Sequence, residues 1–449
     1  MLGMPVPPSP LPTDASPGAL PPASSPTARE RLRAIIGGSV GNLVEWYDWY
    51  VYSAFSLYFA QAFFPPASQT AQLLNAAAVF AVGFFMRPVG GWLLGRYADK
   101  HGRRAALSAS VLLMCGGSLL IAVTPSYSTI GVAAPVLLVL ARLLQGISVG
   151  GEYGASATYL SEMAGAKRRG FWSSFQYVTL IMGQLLALAV LLVLQRTLTT
   201  SQLDTWGWRV PFFIGAACAV VALRLRTTLA ESHDFEAVRK ARALANDRSM
   251  GLNGLRAHPR AVLTVIGLTA GGTVAFYTFT TYAQKFLVNT AGFTKADATL
   301  VSAVSLALFM LVQPLVGAIS DVVGRRPVLM SFGVLGTIGT IPLMRALSTA
   351  HTTGEALLLL CIALLAVSGY TSINAVVKAE LFPTGVRALG VGFPYAIAVS
   401  LFGGTAEYIA LWFKNMGHEP WFYVYVTACA FLGLVVYWTM PETRRAMGE

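Results

Sequence analysis

The sequence predicts an all-α membrane protein with about twelve transmembrane helices in two related halves. Three observations support this prediction: an apolar composition, a series of apolar stretches long enough to cross a bilayer, and a loop motif that occurs twice. Of 449 residues, 55% are hydrophobic and only 12% are charged, whereas soluble proteins average about 25% charged residues. A soluble globule of this size would lack the polar surface that it needs in water.

Twelve apolar stretches follow one another along the chain. Each is near or above the roughly 20 residues that a tilted helix needs to cross about 30 Å of hydrocarbon. They cover approximately residues 34–62, 73–98, 105–124, 131–158, 170–195, 207–226, 261–287, 298–320, 327–347, 355–378, 388–412 and 420–440. The long polar stretch 227–260 separates the sixth span from the seventh and is interpreted as a cytoplasmic linker. The predicted halves are therefore residues 33–226 and 261–440.

The two termini are predicted to lie outside these halves. Residues 1–32 are expected to form a disordered tail and not a signal peptide, because the first 27 residues carry nine prolines, no basic residue and no apolar core. Residues 441–449 form a short C-terminal tail. The four cysteines all fall within apolar segments, and their spacing suggests neither a disulfide framework nor a metal site. No metal and no cofactor other than protons are expected.

The distribution of basic residues predicts the orientation of the helices. With a cytoplasmic N-terminus, 23 of the 32 Lys and Arg residues fall in inner loops and termini, five in outer loops and four within spans. Such a bias follows the positive-inside rule and places both termini in the cytoplasm. The net charge of +12 is thus explained by topology, and no nucleic-acid partner is expected.

A loop motif relates the two halves. Five residues between the second and third spans recur 222 positions later, between the eighth and ninth: Gly95, Asp99, Gly102, Arg103 and Arg104 match Gly317, Asp321, Gly324, Arg325 and Arg326. Two further residues recur at a displacement of 218: Glu162 and Arg169 match Glu380 and Arg387. Carboxylates at helix ends and arginines at the starts of the next helices are able to pair across the halves and to separate when that side opens.

We therefore predict a cytoplasmic gate built from Asp99, His101, Arg103, Glu162, Arg169, Asp321, Arg325, Glu380 and Arg387. In the alternative interpretation the arginines only anchor the loops to lipid headgroups.

The duplicated G-x-x-x-D-x-x-G-R-R pattern, together with R-x-x-Q-G at Arg142, Gln145 and Gly146, resembles the signature of the major facilitator superfamily. Stretches such as GNLVEWYDWYVYS, ARLLQGISVGGEYGASATYLSE and KAELFPTGVRALGVG are similar to its metabolite:proton symporter group. The resemblance covers approximately residues 33 to 440, except for most of the central linker. It implies two pseudo-symmetric six-helix bundles that rock about a central site, with spans 1, 4, 7 and 10 lining that site.

Ionisable residues deep in a membrane are costly and are functional candidates by default. At 1.5 Å per residue, Asp48 in span one and Arg142 in span four lie near the midplane and are predicted to pair. The carboxylate of such a pair can bind a proton in one conformation and release it in another, and related proton-coupled sugar porters place an Asp/Arg pair on the same two helices. The alternatives are a purely structural ion pair, or Glu152 as the proton carrier.

A dicarboxylate substrate would need cations, and Arg87, Arg142 and Lys378 lie within the spans. In the alternative interpretations, Arg87 pairs with a helix carbonyl or with Glu152, and Lys378 pairs with Glu380 or snorkels to the cytoplasmic surface. The uncharged candidates for substrate contact are Tyr50, Tyr52, Gln184, Tyr277, Tyr370 and Asn374. Lys285, near the outer end of span seven, is a candidate for an outer gate or a capture site.

The resemblance implies a proton symporter of the bacterial inner membrane that imports a dicarboxylate such as 2-oxoglutarate. Shikimate, citrate and zwitterions are the alternative substrates, and a channel or a membrane-embedded enzyme are the rival classes. No enzyme is expected, since the sequence carries neither a nucleophile elbow nor an H-E-x-x-H motif. The expected partners are an organic acid, protons and the lipid bilayer, and the expected state is a monomer.

Overall fold

The computed structural model describes residues 28–101, 103–150, 168–228, 255–383 and 386–444. Every regular element within these ranges is helical, and the predicted all-α class is confirmed. Glu152, Glu162, residues 1–27 and most of the linker lie outside the described residues. Nothing is described of the Asp99 and Arg103 side chains.

Twelve long helices can be traced through the described residues. The first half consists of α1 (Ala28–Phe63), α2 (Gln69–His101), α3 (Arg103–Val123), α4 (Ala133–Gly150), α5 (Arg169–Thr197) and α6 (Val210–Thr228). The second half consists of α7 (Pro259–Asn289), α8 (Lys295–Val323), α9 (Arg325–Ser348), α10 (Thr353–Glu380), α11 (Arg387–Asn415) and α12 (Pro420–Thr439). The first helix begins at Ala28 and thus includes the last five residues of the predicted N-terminal tail. Each of the twelve predicted spans overlaps one of these helices.

The surface and the interior have the polarity expected in a bilayer. Within the described residues, nine of the helices are long and apolar enough to cross a membrane, and α3 and α6 contribute the shorter apolar stretches Ser108–Val123 and Gly207–Val221. Large apolar side chains such as Leu263, Ile338 and Val322 are 67%, 67% and 75% exposed, while charged residues are buried between the helices. Apolar surface facing lipid and backbone bonds satisfied within helices are the requirements of a membrane span.

Glycines bring α2 and α4 into backbone contact. A Cβ atom at Gly146 would lie 2.1 Å from the Gly83 carbonyl oxygen, and one at Gly150 would lie 2.0 Å from the Arg87 carbonyl oxygen. This is the small-residue packing of membrane helices. The contact also brings Arg87 of α2 close to Arg142 of α4.

The halves meet where α2 packs along α11 and α5 packs along α8. Near the first of these contacts, α7 and α11 each contain a π-helical turn, at Thr278–Tyr282 and Val399–Gly403. The hydroxyls of Thr278 and Ser400 donate hydrogen bonds to the backbone carbonyls one turn earlier, at 2.8 and 2.6 Å. These bonds compete with the backbone hydrogen bonds of a regular α-helix. Single π turns are frequent at functional sites.

Candidate functional site

The Asp48 carboxylate lies in a buried hydrogen-bond network between α1, α3 and α4. Gln145 donates from Nε2 to Asp48 Oδ2 at 2.7 Å, Ser118 donates to Oδ1, and Arg142 donates from Nη1 to Gln145 Oε1 at 2.8 Å. Asp48 is 1% exposed and Arg142 is fully buried. The predicted direct pair is therefore wrong in detail, because Gln145, one helical turn after Arg142, joins the two charges.

Arg87 and Arg142 share one aromatic ring. The Cζ atoms of Arg87 and Arg142 lie 4.4 and 3.9 Å from the centroid of Trp49, and Arg87 also lies 4.0 Å from Phe84. Stacking engages the face of a guanidinium and leaves its N–H groups free in the plane. Nε and Nη2 of both arginines are buried and have no hydrogen-bond partner among the described residues. The predicted pairing of Arg87 with a helix carbonyl is not found there.

Tyrosines connect these arginines to the second half. Tyr50 is 1% exposed, and its hydroxyl lies close to Arg87 and to the hydroxyls of Tyr277 on α7 and Tyr395 on α11. Tyr277 packs edge-on against Phe84 with centroids 5.3 Å apart. The predicted contacts Tyr50 and Tyr277 thus border the arginines and span the two halves.

Lys378 lies on α10 below a break in that helix at Ser372 and Ile373. Its ammonium donates to Asn374 Oδ1 at 2.9 Å and lies 3.9 Å from the ring centroid of Tyr395. Lys378 is fully buried, which argues against the alternative in which it snorkels to the surface. Its other predicted partner, Glu380, instead bonds Arg325 at 3.5 Å and Thr443 at 2.6 Å.

The remaining uncharged candidates differ in their availability. Tyr52 donates its hydroxyl to the Ala76 carbonyl at 2.9 Å and packs under Arg142, so its role is to support the site. Gln184 on α5 and Tyr370 on α10 are buried with Gln184 Oε1 and the Tyr370 hydroxyl lacking a hydrogen-bond partner among the described residues. The structure therefore leaves Gln184 Oε1 available to a ligand, whereas the Tyr370 hydroxyl lies beside the hydroxyls of Thr269 and Thr273 on α7.

The predicted cytoplasmic end is closed between α5 and α8. Asp321 accepts hydrogen bonds from the backbone N–H groups of Gly170 at 2.8 Å and Phe171 at 2.9 Å, so a carboxylate of the second half caps a helix of the first. Arg325 holds that carboxylate at 2.8 Å and reaches Glu380 at 3.5 Å. Asp321 thus makes its contact across the halves to backbone amides, and its arginine partner, Arg325, belongs to its own half.

The first glycines of the two loop motifs, Gly95 and Gly317, have different surroundings. A Cβ atom at Gly317 would lie 2.6 Å from the Gly170 carbonyl oxygen, whereas one at the matching Gly95 would have no atom within 4 Å. Of these two matched glycines, Gly317 therefore makes the tight contact between the halves.

We expect Gly170→Ala to open the predicted cytoplasmic end, because its Cβ would lie 2.4 Å from Ser320 Oγ. The reporter is Ser174→Cys, which is buried beside the contact, in a background with the native cysteines replaced by serine. Labelling by a membrane-impermeant maleimide in inside-out vesicles should rise several-fold. Gly116→Ala is the control, since a Cβ there meets no atom within 4 Å. Equal labelling in both backgrounds would contradict a role for Gly170 in closure.

The other predicted gate residues are arranged less simply. Arg169 lies close enough to Glu380 to interact with it electrostatically, and Arg387 donates to the Phe382 carbonyl at 3.3 Å. His101 is exposed and stacks on Tyr97 of its own helix, with centroids 4.4 Å apart.

The described part of the C-terminal tail packs against the same end. Glu442 accepts backbone hydrogen bonds from Arg325 and Arg326, both at 2.9 Å, and from Arg444 at 3.1 Å. Partial burial alone would raise the pKa of Glu442, but these three donors hold it below its ordinary value. The tail thus secures the start of α9.

The opposite end carries contacts that sequence patterns did not predict. Lys295 on α8 bonds Asp204 of the first half at 3.2 Å. Deeper in the protein, Lys285 bonds Glu407 at 2.8 Å and Ser53 at 2.6 Å. The signal for the deeper cluster is the rarity of charges within spans, which marks Lys285 and Glu407 separately but predicts neither their pairing nor the contact with Ser53.

Comparison with known proteins gives three results. The family model described as "Sugar (and other) transporter" matches residues 34–254 and 246–447. An alpha-ketoglutarate permease of Escherichia coli K12 is 54% identical over 413 residues, 92% of this chain and 94% of that protein. A citrate-proton symporter of Klebsiella pneumoniae is 34% identical over 85% of each chain.

Among solved structures, the xylose transporter of Escherichia coli in a partially occluded inward-open conformation has a similar fold. The TM-score is 0.71 at 22% identity, covering 93% of this chain and 99% of that chain.

Proposed function

This chain belongs to the sugar (and other) transporter family of the major facilitator superfamily, and on that premise we propose that it imports the dicarboxylate 2-oxoglutarate with protons by alternating access. It is a multi-pass membrane transporter and not an enzyme. The relative with 54% identity is named for alpha-ketoglutarate, which supports this substrate. We place the protein in the inner membrane with both termini in the cytoplasm, as the bias of basic residues favours.

The single observation that carries the proposal is the pair of incompletely bonded guanidinium groups. Nε and Nη2 of both Arg87 and Arg142 lack a hydrogen-bond partner among the described residues. A buried charged donor without an acceptor is costly, and two such groups beside one ring also repel each other. A carboxylate offers each guanidinium two acceptor oxygens in the matching plane. The arginines therefore form a receptor for a dianion.

A dicarboxylate suits the arrangement better than a single anionic group. Arg87 and Arg142 belong to the first half, whereas Lys378 approaches from the second, beside Tyr395. A substrate with a carboxylate at each end is able to contact cations of both halves at once. Such bridging stabilises the state in which the halves close around it, as alternating access requires.

Proton coupling follows from the charge of the substrate. Moving a dianion inward against a negative-inside potential costs about 4.6 kcal/mol per 100 mV. Asp48 is linked to the receptor through Gln145 and Arg142. A substrate carboxylate that bonds Nε and Nη2 of Arg142 places negative charge beside the hydrogen bond from its Nη1 to Gln145, so loading the site perturbs the hydrogen bonds of Asp48. This is the route by which we propose that substrate binding and protonation influence each other.

Uptake into proteoliposomes tests the proposal. We expect labelled 2-oxoglutarate to accumulate when the exterior is acidic, and the accumulation to disappear with a protonophore, because the proton gradient is the driving force. Unlabelled citrate is the informative competitor, since a 34% identical relative is named for citrate. Stronger inhibition by citrate, shikimate or betaine than by 2-oxoglutarate would assign the chain to a sister symporter, and entry independent of the gradient would refute symport.

A further inference from the structure

A second buried charge cluster lies apart from the receptor. Lys285 of α7 and Glu407 of α11 form a salt bridge of 2.8 Å, with side-chain exposures of 0% and 5%. Ser53 of α1 accepts a hydrogen bond from Lys285 at 2.6 Å and donates to the same Glu407 oxygen at 3.4 Å. The cluster therefore joins α7 and α11 of the second half to α1 of the first half. Its depth requires a compensating function, since two ions have been removed from water.

The position of the cluster links it to opening of the outer side. Ser53 lies five residues beyond Asp48 toward the outer end of α1, and Lys285 lies four residues before the outer end of α7. Separation of α1 from α7 and α11 would remove Ser53 from the pair and admit water to the carboxylate. Contact with the outside would then be possible only in the outward-open state.

The groups that face Glu407 favour a role for this carboxylate in proton binding. Lys285 neutralises it, and the hydroxyls of Tyr52 and Tyr282 lie close enough to interact with it electrostatically. Tyr52 is also close to Arg142, so Glu407 is electrostatically connected to the receptor. When Glu407 carries a proton, the ammonium of Lys285 becomes an uncompensated positive charge that attracts an anion from outside.

We propose that Glu407 is a second proton-binding carboxylate of the transport cycle, loaded from the outer side with Lys285 as its counter-ion. This inference rests on the proposed function. One proton on Asp48 and one on Glu407 balance the two negative charges of the substrate, so the loaded carrier moves no net charge. The protons leave on the inner side, and the Lys285–Glu407 pair forms again in the empty carrier.

The proton-to-substrate ratio in proteoliposomes tests the assignment. With the potential clamped at zero by potassium and valinomycin, each coupled proton supports about tenfold accumulation per pH unit. We expect about 100-fold accumulation in wild type and about tenfold in Glu407→Gln at a gradient of one unit. An imposed inside-negative potential should lower accumulation in the variant, which moves one net negative charge, and leave wild type unchanged.

Glu419→Gln is the matched control. Glu419 also bonds a lysine, Lys414, at 2.8 Å, but that pair is partly exposed and lies within the second half. We expect the control to keep the wild-type ratio and potential independence. If the ratio changed merely because an ion pair was lost, it would change in both variants. If it changes because a proton site was lost, it changes only in the Glu407 variant.

Exchange of labelled for unlabelled 2-oxoglutarate at equal pH separates folding from coupling. If Glu407→Gln cannot exchange, the variant Lys285→Met/Glu407→Gln removes both charges and should restore exchange with the reduced ratio. A wild-type ratio of one, an unchanged ratio in Glu407→Gln, or lost exchange in both variants would each overturn the proposal. Failure of wild type itself to exchange 2-oxoglutarate would instead refute the proposed function.

Discussion

Replacing Arg87 with alanine is expected to reduce 2-oxoglutarate uptake at low substrate concentration by at least about 100-fold. A hydrogen bond to a charged group contributes about 1.5–3 kcal/mol, and a bidentate carboxylate contact makes two of them. Arg87→Lys should recover little of the loss, because an ammonium has neither the planar fork nor the stacking on Trp49 and Phe84. The measurement is the concentration dependence of initial uptake, together with the shift of Tm that the substrate produces.

The chain offers a matched arginine for comparison. Arg209 also stacks on a tryptophan, with its Cζ 4.2 Å from the Trp208 centroid, but its N–H groups reach the carbonyls of Ala122 and Thr124 at 3.0 and 2.7 Å. Arg209→Lys should therefore leave KM unchanged. An unaltered KM in Arg87→Ala would show that its guanidinium nitrogens serve something other than the substrate.

The helical framework could be predicted because membrane insertion leaves a direct trace in the sequence. A span must be apolar over about 20 residues, so its existence can be read without knowledge of its neighbours. The same physics made Asp48, Arg87, Arg142 and Lys378 visible, since a charge within such a stretch is costly. Depth along a helix could also be estimated, and Asp48 and Arg142 do lie in one network.

What could not be predicted depends on how helices are rotated against each other. Gln145 carried a signal, because the R-x-x-Q-G motif places it one turn after Arg142, but nothing in the spacing shows that it would come between Arg142 and Asp48. The stacking of both arginines on Trp49 requires the close packing of α2 and α4 and the facing side of α1. Such tertiary packing cannot be read from a local sequence pattern.

The gate shows a different limit. The repeat marks Asp321 and Arg325, which lie at a contact between the halves, but the similarity of the halves predicts side chains pairing with side chains. The structure instead uses the backbone N–H groups of Gly170 and Phe171 as donors to Asp321. Any residue except proline supplies such a donor, so the sequence cannot mark it. Gly170 is constrained by its neighbour across the interface, Gly317, rather than by its own loop.

Replacing Asp48 and Glu407 together, with Asn and Gln, is expected to abolish concentrative uptake at a gradient of one pH unit, a fall of about 100-fold in accumulation. Each substitution removes one proton-binding carboxylate, so Asp48→Asn alone should lower accumulation about tenfold. Asn at position 48 is able to accept from Gln145 and to donate to Ser118, which preserves the network around the receptor. Exchange at equal pH should therefore persist in both variants, and Asp204→Asn, which alters a partly exposed pair, should leave accumulation intact.

The single variants decide how the protons are divided. If Asp48→Asn alone abolishes accumulation while Glu407→Gln keeps the wild-type ratio, Asp48 carries the whole proton load and the Lys285–Glu407 pair is structural. If Asp48→Asn accumulates substrate as wild type does, the role assigned to Asp48 is wrong, whatever Glu407 does. Tenfold losses that multiply in the double variant would require two separate proton sites, because two substitutions at one shared site would not add. Independent effects are expected here, since Asp48 bonds within the first half whereas Glu407 pairs with Lys285 at the boundary between the halves.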